Sequence, residues 1–428
     1  MNKKISPARV IVIGFASAII LGTIMLSLPF TAKEGVKVSI LDALFTSTSA
    51  VCVTGLLVVD TADTFNAIGQ TIVALLIQIG GLGISSVGVG FILLAGKRVT
   101  FRERVLIKES MNLDSMKGIV KIVKAVFIMT ICFEAVGAIL SFSVFIRDYP
   151  PLRALGISLF HSVASFNNAG FDILGGFQNL LPYQDSVILT LTTCGLIIFG
   201  GLGFFVIIEV LSKRHFRRLS LHSKIVLVMT GLLLLSGTLL IKLTEEISWL
   251  GAFFYSTSAR TAGFSTVPLG TFSNAGLFIL ILLMFIGASP GSTGGGIKTT
   301  TTFTLFKSAF STSTNQHCMA FKRRISNDIV RKAFVITLLS SLLVITDTLI
   351  LSMIEPNITF IQLLFEAVSA FGTVGLSTGI TSELGSISKL IIILTMFTGR
   401  LGALTIISSW YRKPAPNVSY SEENITIG

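Results

Sequence analysis

The sequence predicts an all-α integral membrane protein. Its eight transmembrane helices would form four parallel repeats around a central pore, each a span, a pore loop and a second span. Three observations predict this fold. Of the 428 residues, 52% are hydrophobic and only 13% are charged, whereas about a quarter of a soluble domain is charged. Long windows without charge recur along the chain, and one short pattern returns four times between them.

Eight windows are long and apolar enough to cross a bilayer, which requires about 20 residues. Five of them contain no Asp, Glu, Lys or Arg, namely 10–32, 64–96, 186–208, 225–241 and 261–297. Three contain a single charged residue each, namely 125–146 with Glu134, 333–354 with Asp347 and 390–411 with Arg400. Two windows exceed one span. We expect a polar linker before the helix in 64–96 and a break inside the helix in 261–297.

Charge is distributed unevenly between the predicted loops. The net charge of +12 comes mostly from lysine and arginine in loops 97–124, 213–224 and 307–332, while the alternate loops contain most of the acids. Because basic loops stay in the cytoplasm, this pattern predicts a multi-pass protein of the plasma (cell inner) membrane with both termini cytoplasmic. Topology thus explains the basic excess, and we expect no nucleic-acid partner.

A twelve-residue pattern recurs after each odd-numbered span. Each copy begins with Phe, has Gly at its eleventh position and ends in Leu or Phe; the copies are FTSTSAVCVTGL (45–56), FHSVASFNNAGF (160–171), FFYSTSARTAGF (253–264) and FEAVSAFGTVGL (365–376). A glycine cluster follows in each even-numbered span: QIGGLG (78–83), FGGLG (199–203), FIGAS (285–289) and FTGRLG (397–402). Such internal repetition predicts repeats 1–98, 99–213, 214–325 (with a broken last helix) and 326–414, followed by a tail at 415–428.

The four short segments are too short to cross a bilayer and suit re-entrant loops. All four enter from the outer face, so the repeats are parallel and can surround an axis along the membrane normal. Glycine loops at one depth around one axis can ring a pathway with carbonyl oxygens, which replace the hydration shell of an ion. The C-terminal ends of the short helices add partial negative charge. Both effects favour a cation; for a single glycine, close helix packing is the alternative.

At these residues the sequence is similar to a known family. VTGL, NNAGF, RTAGF and GTVGL, in span–pore loop–span units repeated four times, resemble the potassium-translocating subunits of the Ktr/Trk/HKT superfamily over essentially the whole chain. Eight spans without extra N-terminal helices most resemble the Ktr membrane subunit. The resemblance implies potassium (K+) uptake through a filter with one glycine per repeat. Gly55 suggests potassium, because some plant relatives that favour sodium have serine there. The implied filter residues are Val53, Thr54, Gly55, Asn168, Ala169, Gly170, Thr261, Ala262, Gly263, Thr373, Val374 and Gly375.

The sixth window predicts a broken helix. Its stretch GASPGSTGGG contains five glycines and Pro290, which lacks a backbone donor. Unpaired backbone at membrane depth must face water or protein, and a kink in a packing helix is the alternative. The stretch resembles the intramembrane gating loop of the family, which implies gating roles for Gly287, Ala288, Ser289, Pro290, Gly291, Ser292, Thr293, Gly294, Gly295 and Gly296.

Two arginines lie close to these elements. An arginine inside a span must be paired or face water. We expect Arg400 to contact carbonyls of the gating loop and to take part in gating; a purely structural pairing with a carboxylate is the alternative. Arg260 lies three residues before Gly263, and we expect it to point behind the filter and pair with a carboxylate, with Glu366 as the candidate.

No motif indicates an enzyme. Gly291 to Thr299 resembles a phosphate-binding loop, but Ile297 breaks the G-x4-G-K-[ST] spacing and no strand precedes it. We therefore expect no nucleotide on this chain and no catalytic residues. The resemblance implies potassium as the transported ion, with sodium as a candidate activator. The resemblance implies a homodimer on a KtrA-like cytoplasmic ring that binds ATP and ADP, with the tail ending in Thr426-Ile427-Gly428 near the dimer interface.

Loops 97–124 and 213–224 are candidate docking surfaces for that ring, or contact anionic membrane lipids. The alternative function is a sodium-coupled or sodium-selective carrier with alternating access. The parallel repeats and the four filter glycines favour a channel-like pathway instead.

Overall fold

The computed structural model describes residues 6–94, 99–110 and 118–410. The predicted tail 415–428 and parts of loop 97–124 lie outside these ranges. Almost all regular structure is helical, with the bounds α1 Pro7–Leu26, α2 Ile40–Cys52, α3 Thr61–Thr64, α4 Ala67–Leu82, α5 Ile84–Leu94, α6 Phe101–Ser110, α7 Ile119–Phe145, α8 Pro151–Phe166, α9 Val187–Leu202, α10 Phe204–Lys213, α11 Leu221–Thr244, α12 Trp249–Ser258, α13 Asn274–Phe285, α14 Thr299–Ser313, α15 Asn327–Ile354, α16 Phe360–Gly372, α17 Ser386–Leu401 and α18 Ala403–Trp410. A short antiparallel hairpin joins β1 Met319–Ala320 to β2 Arg323–Arg324.

Four helices, α1, α7, α11 and α15, are long and apolar enough to cross a membrane alone. At most 39% of the apolar window of each is buried inside the protein, so their remaining apolar surface suits contact with lipid. Serine is the N-cap residue of α1 and of α11. The Ser6 hydroxyl accepts the Arg9 N–H and the Ser220 hydroxyl accepts the Ser223 N–H, and each bond satisfies a donor that the first helical turn leaves free. These helices begin the four predicted repeats.

The second spans of the first two repeats are bent. Helices α4 and α5 meet at 99°, and α9 and α10 meet at 94°. The bends lie at Gly83 and Gly203, whose φ angles of +80° and +92° are incompatible with a continuing helix. Counting each bent pair as one span, the described ranges contain up to six spans. These two bends were not predicted from the sequence.

The third repeat has the longest break. Helix α13 ends at Phe285, α14 begins at Thr299, and residues 286–298 between them are not helical. A parallel bridge between Ile286 and Ile297 closes the base of this segment, which we call the intramembrane loop. Gly291 and Gly296 have positive φ angles of +70° and +66°, a conformation that glycine reaches without a Cβ clash.

Four short helices lie at the centre of the molecule: α2, α8, α12 and α16. Each packs against the long helix that begins its own repeat. Each also packs against the second-span helix of the preceding repeat, in the pairs α8–α4, α12–α9, α16–α13 and α2–α17. The last pair joins the fourth repeat to the first, so the short helices and their neighbours close into a ring.

Candidate functional site

The loops that follow the four short helices share one backbone conformation. In every repeat two residues have positive φ angles: the glycine at the eleventh position of the twelve-residue pattern and the residue two before it. The pairs are Val53 and Gly55, Asn168 and Gly170, Thr261 and Gly263, and Thr373 and Gly375. Residues other than glycine adopt positive φ uncommonly. The surrounding fold therefore holds a valine, an asparagine and two threonines in the same backbone conformation.

The four glycines form a closed ring. The Cβ of an alanine at Gly55 would lie 2.5 Å from the carbonyl oxygen of Ala169. At Gly170 and Gly263 it would lie 2.7 Å and 2.4 Å from the carbonyls of the next repeat, and at Gly375 it would lie 2.1 Å from the carbonyl of Thr54. Each glycine thus faces the following repeat, and the fourth faces the first. All twelve sequence-predicted filter residues meet in this ring.

Hydrogen bonds from the short helices hold the ring in place. The N–H groups of Thr54, Ala169 and Val374 each donate to a carbonyl of their own helix at 2.8–2.9 Å. The Ser49 and Ser369 hydroxyls accept the N–H groups of the first and fourth filter glycines at 3.0 and 3.1 Å. With N–H groups bound behind the ring, its carbonyl oxygens are free to line the axis.

Several buried oxygens at the ring lack a partner. The hydroxyls of Thr54 and Thr373 are buried and make no hydrogen bond. Each of the four short helices ends immediately before the ring, so its partial negative charge points there. Carbonyl oxygens, unpaired hydroxyls and helix C-termini together suit a dehydrated cation.

A cavity of about 260 Å³ opens on one side of the ring, and we call it the outer vestibule. Gly55, Gly263 and Gly375 form its floor, and Asp172 and Asn179 are among the residues that line it. Asn179 Nδ2 donates to the Gly170 carbonyl at 3.3 Å, and its Oδ1 accepts the Ser265 N–H at 3.1 Å. Asn179 therefore ties the glycine loop of the second repeat to the segment after the glycine loop of the third, a contact that the sequence analysis did not predict.

Asp172 is a buried carboxylate of the outer vestibule. It is only 6% exposed, and its Oδ1 accepts the Leu174 N–H at 3.0 Å. Burial, reinforced by the nearby charges of Asp60 and Asp63, raises the pKa of Asp172 to about 7. This carboxylate can change its charge near neutral pH.

The intramembrane loop lies against the opposite side of the ring. The Thr293 hydroxyl is 3.3 Å from both the Phe166 carbonyl and Asn168 Oδ1. A Cβ at Gly294 or Gly295 would collide with the hydroxyls of Thr261 and Thr373, at 2.1 and 2.3 Å. The intramembrane loop thus closely approaches the glycine loops of the second, third and fourth repeats. Only glycine at positions 294 and 295 permits so short a distance between the backbones.

Two basic side chains, Lys298 and Arg400, donate hydrogen bonds to carbonyl groups of the intramembrane loop. Lys298 Nζ donates to the Gly294 carbonyl at 2.6 Å, a contact that the sequence analysis missed. As expected, Arg400 contacts a carbonyl of this loop: its Nη1 donates to Thr293 and its Nη2 to Gly80, at the end of α4. The alternative of a carboxylate partner is not found, because the described ion pairs join other residues.

The expected pairing of Arg260 with Glu366 is wrong. Glu366 instead accepts a hydrogen bond from the Thr381 hydroxyl, and within the described ranges no ion pair involves Arg260. The two side chains belong to different repeats, and the second carboxyl oxygen of Glu366 is buried without a hydrogen-bond partner.

Other polar groups in or near the spans also make hydrogen bonds. Asn167 donates to Glu134, His161 is 2.9 Å from the Thr193 hydroxyl, and the Asp347 carboxylate accepts from Thr395.

Comparisons with known proteins agree with this geometry. A family described as TrkH, cation transport protein, matches residues 8–419. The potassium/sodium uptake protein NtpJ of Enterococcus hirae is 38% identical, over 100% of this chain and 98% of that protein. Ktr system potassium uptake protein B of Bacillus subtilis is 36% identical, over 99% of this chain and 97% of that protein.

A solved structure shares the fold. The potassium transporter TrkH of Vibrio parahaemolyticus matches with a TM-score of 0.74 and 18% sequence identity, over 96% of this chain and 87% of that one. The family match covers nearly the whole chain, and two relatives above 30% identity align over their full length. The protein is therefore a member of the TrkH family of cation transport proteins.

Proposed function

We propose that this protein takes up potassium across the plasma membrane as the pore-forming subunit of a Ktr-like system. The closed ring of four glycine loops supports this function most directly, because each glycine faces the next repeat and none tolerates a side chain. The names of its relatives, potassium/sodium uptake protein and Ktr system potassium uptake protein B, support potassium as the transported ion.

In this proposal the chain forms eight spans in four repeats, 1–98, 99–213, 214–325 and 326–414. The bent pairs, the loop-interrupted pair α13 and α14, and the pair α17 and α18 each serve as one span. Both termini are cytoplasmic, because the basic loops lie on their side of the membrane. The outer vestibule then faces the outside, and the intramembrane loop lies on the cytoplasmic side of the ring.

The twelve filter residues select the ion. Potassium sheds its hydration shell in the outer vestibule and exchanges water for carbonyl oxygens of the ring. The C-terminal ends of α2, α8, α12 and α16 stabilise the positive charge at this point. The backbone supplies most ligands, so the filter tolerates different side chains in the four repeats.

Residues 287–296 of the intramembrane loop act as the gate. The loop contacts the ring through Thr293, and Arg400 and Lys298 hold it closed through its carbonyl groups. Opening requires these contacts to break.

A homodimer on a KtrA-like nucleotide-binding ring supplies the driving force for opening. ATP or ADP binds to that partner, and no nucleotide binds to this chain. The word "system" in the name of Ktr system potassium uptake protein B supports a partner subunit.

Ion flux into liposomes that contain the purified protein tests the proposed function. We expect uptake of potassium well above that of sodium, with activity increased by the cytoplasmic partner and its nucleotide. Equal permeation of both ions would contradict the potassium filter. Rigidly coupled sodium and potassium flux at carrier rates would instead favour the alternative, a sodium-coupled or sodium-selective carrier.

Uptake is expected to weaken as the external pH falls from 8 to 6. Asp172 titrates near neutral pH, because its pKa is raised to about 7, and its negative charge in the outer vestibule attracts the cation only when the proton is absent. The KM for potassium should rise at the lower pH by several-fold. In Asp172→Asn the KM should be high at both pH values, and a wild-type pH profile in this variant would exclude the carboxylate.

A further inference from the structure

The guanidinium of Arg260 is a buried charge without a counter-charge. The residue is 6% exposed, and its Nε has no hydrogen-bond partner. Throughout the ranges that the structure describes, no carboxylate pairs with it. Arginine keeps its proton in proteins, so this site retains a full positive charge at any working pH.

The surroundings leave no room for an anion of any size. Arg260 faces a cavity of about 10 Å³ between α9, α11 and α12, which is enough for about one water molecule. Apolar side chains and one hydroxyl line it, namely Ile197, Ile198, Leu234 and Thr257. A separate anion, such as phosphate, does not fit beside the side chains that already line the cavity.

The end of the third short helix supplies the compensation. Helix α12 ends at Ser258, two residues before Arg260, and the negative end of a helix stabilises a cation within its last turn. In the other repeats the residue at this position carries no charge, and a basic group of another helix, Arg400 of α17, acts on Cys52 at the end of α2 from outside the loop. In the third repeat, Arg260 already neutralises part of the partial charge at the end of α12.

The third repeat is the exception among the four. Three residues before the filter glycine, the other repeats have Cys52, Asn167 and Gly372, all uncharged and buried. Arg260 alone places a positive charge at this position, whereas Lys298 and Arg400 bind carbonyls of the intramembrane loop. The electrostatic field of the ring is therefore unequal around the axis.

We propose that Arg260 sets the ion occupancy of the ring: its positive charge, which no carboxylate balances, weakens cation binding and speeds release of the ion. Conduction needs a site that binds well enough to admit an ion and weakly enough to let it leave. This inference rests on the proposed function, in which the ring is the potassium pathway.

Three variants at one position test the proposal. Arg260→Asn introduces the residue of the second repeat, Arg260→Gln removes the charge with little change in length, and Arg260→Lys keeps the charge. In liposomes we expect the KM for potassium to fall about tenfold in the two neutral variants, with a maximal rate about fivefold lower. The lysine variant should stay close to wild type in both parameters.

A fourth variant leaves the arginine in place. Thr257→Asp puts a carboxylate in the same small cavity, where it would neutralise Arg260, and we expect it to lower the KM as the neutral variants do. It decides the proposal if the substitutions of Arg260 fail to fold. Stabilisation of the detergent-solubilised protein by potassium against heat gives a second readout, and should require about tenfold less ion in these variants.

Unchanged KM in the neutral variants and in Thr257→Asp overturns the inference. So does an equal loss of maximal rate in all variants, lysine included, without a change in KM, because that result indicates packing. Failure of the proposed function looks different, since the wild-type protein would then show no selective potassium flux at all.

Discussion

Gly375→Ala is expected to abolish selective potassium uptake. Gly375 has a φ angle of +93°, and an alanine Cβ would lie 2.1 Å from the Thr54 carbonyl oxygen and 2.8 Å from Gly55 Cα. Both neighbours are backbone atoms of the ring, so neither can rotate away. Strain of about 1–3 kcal/mol for the left-handed conformation and the additional overlap displace the ring carbonyls. Ion-flux ratios in liposomes should show the preference for potassium over sodium falling roughly tenfold or more.

Gly195→Ala provides the matched control for this substitution. Gly195 lies within helix α9, and its φ angle is not positive. Apart from its two chain neighbours and the nearby backbone of its own helix, no atom lies within 4 Å of the added Cβ. Selectivity and uptake should therefore stay at the wild-type level, and the helix should gain slightly in stability because alanine is the better helix former. If Gly375→Ala behaved like this control, the ring would not be the filter.

The conformation of the four glycine loops was predictable because its signals are local. A short apolar helix followed by glycine at a fixed position marks a turn that needs positive φ, and the fourfold repetition of this pattern identifies one architecture. The break around Pro290 was predictable for the same reason, since five glycines and a proline exclude a helix. In each case, a few neighbouring residues decide the conformation without help from the rest of the chain.

The features that the sequence did not predict depend on tertiary contacts. The windows around Gly83 and Gly203 contain no charged residue, and no proline lies next to either glycine, so bends of 99° and 94° there were not predicted from the sequence. Their position follows from packing: a Cβ at Gly203 would lie 2.6 Å from the Pro290 carbonyl, so the loop of one repeat occupies the break of another. The partner of Lys298 and the isolation of Arg260 likewise depend on elements distant in sequence.

Arg400→Gln is expected to open the pathway in the absence of the cytoplasmic partner. Arg400 reaches a carbonyl of the intramembrane loop with Nη1 and the end of α4 with Nη2, and glutamine has neither the length nor the second donor nitrogen to bridge them. Hydrogen bonds from a charged group contribute about 1.5–3 kcal/mol each. Losing one or two of them should shift a closed gate by roughly tenfold or more toward the open state. Potassium flux into liposomes that contain this chain alone measures the effect.

Two further variants separate the causes of that increase. Arg400→Lys keeps the positive charge but cannot form the two-pronged contact, so a flux between wild type and the glutamine variant would assign the closed state mainly to the hydrogen bonds. Arg153→Gln removes an arginine that lies over the Tyr149 ring at the start of α8, distant in sequence from the intramembrane loop, and should leave flux unchanged. Wild-type flux and wild-type activation in Arg400→Gln would remove Arg400 from the gate and leave it a structural tie between the loop and α4. That outcome would also separate the two halves of the proposed mechanism, because the glycine ring can select ions whether or not Arg400 holds the loop.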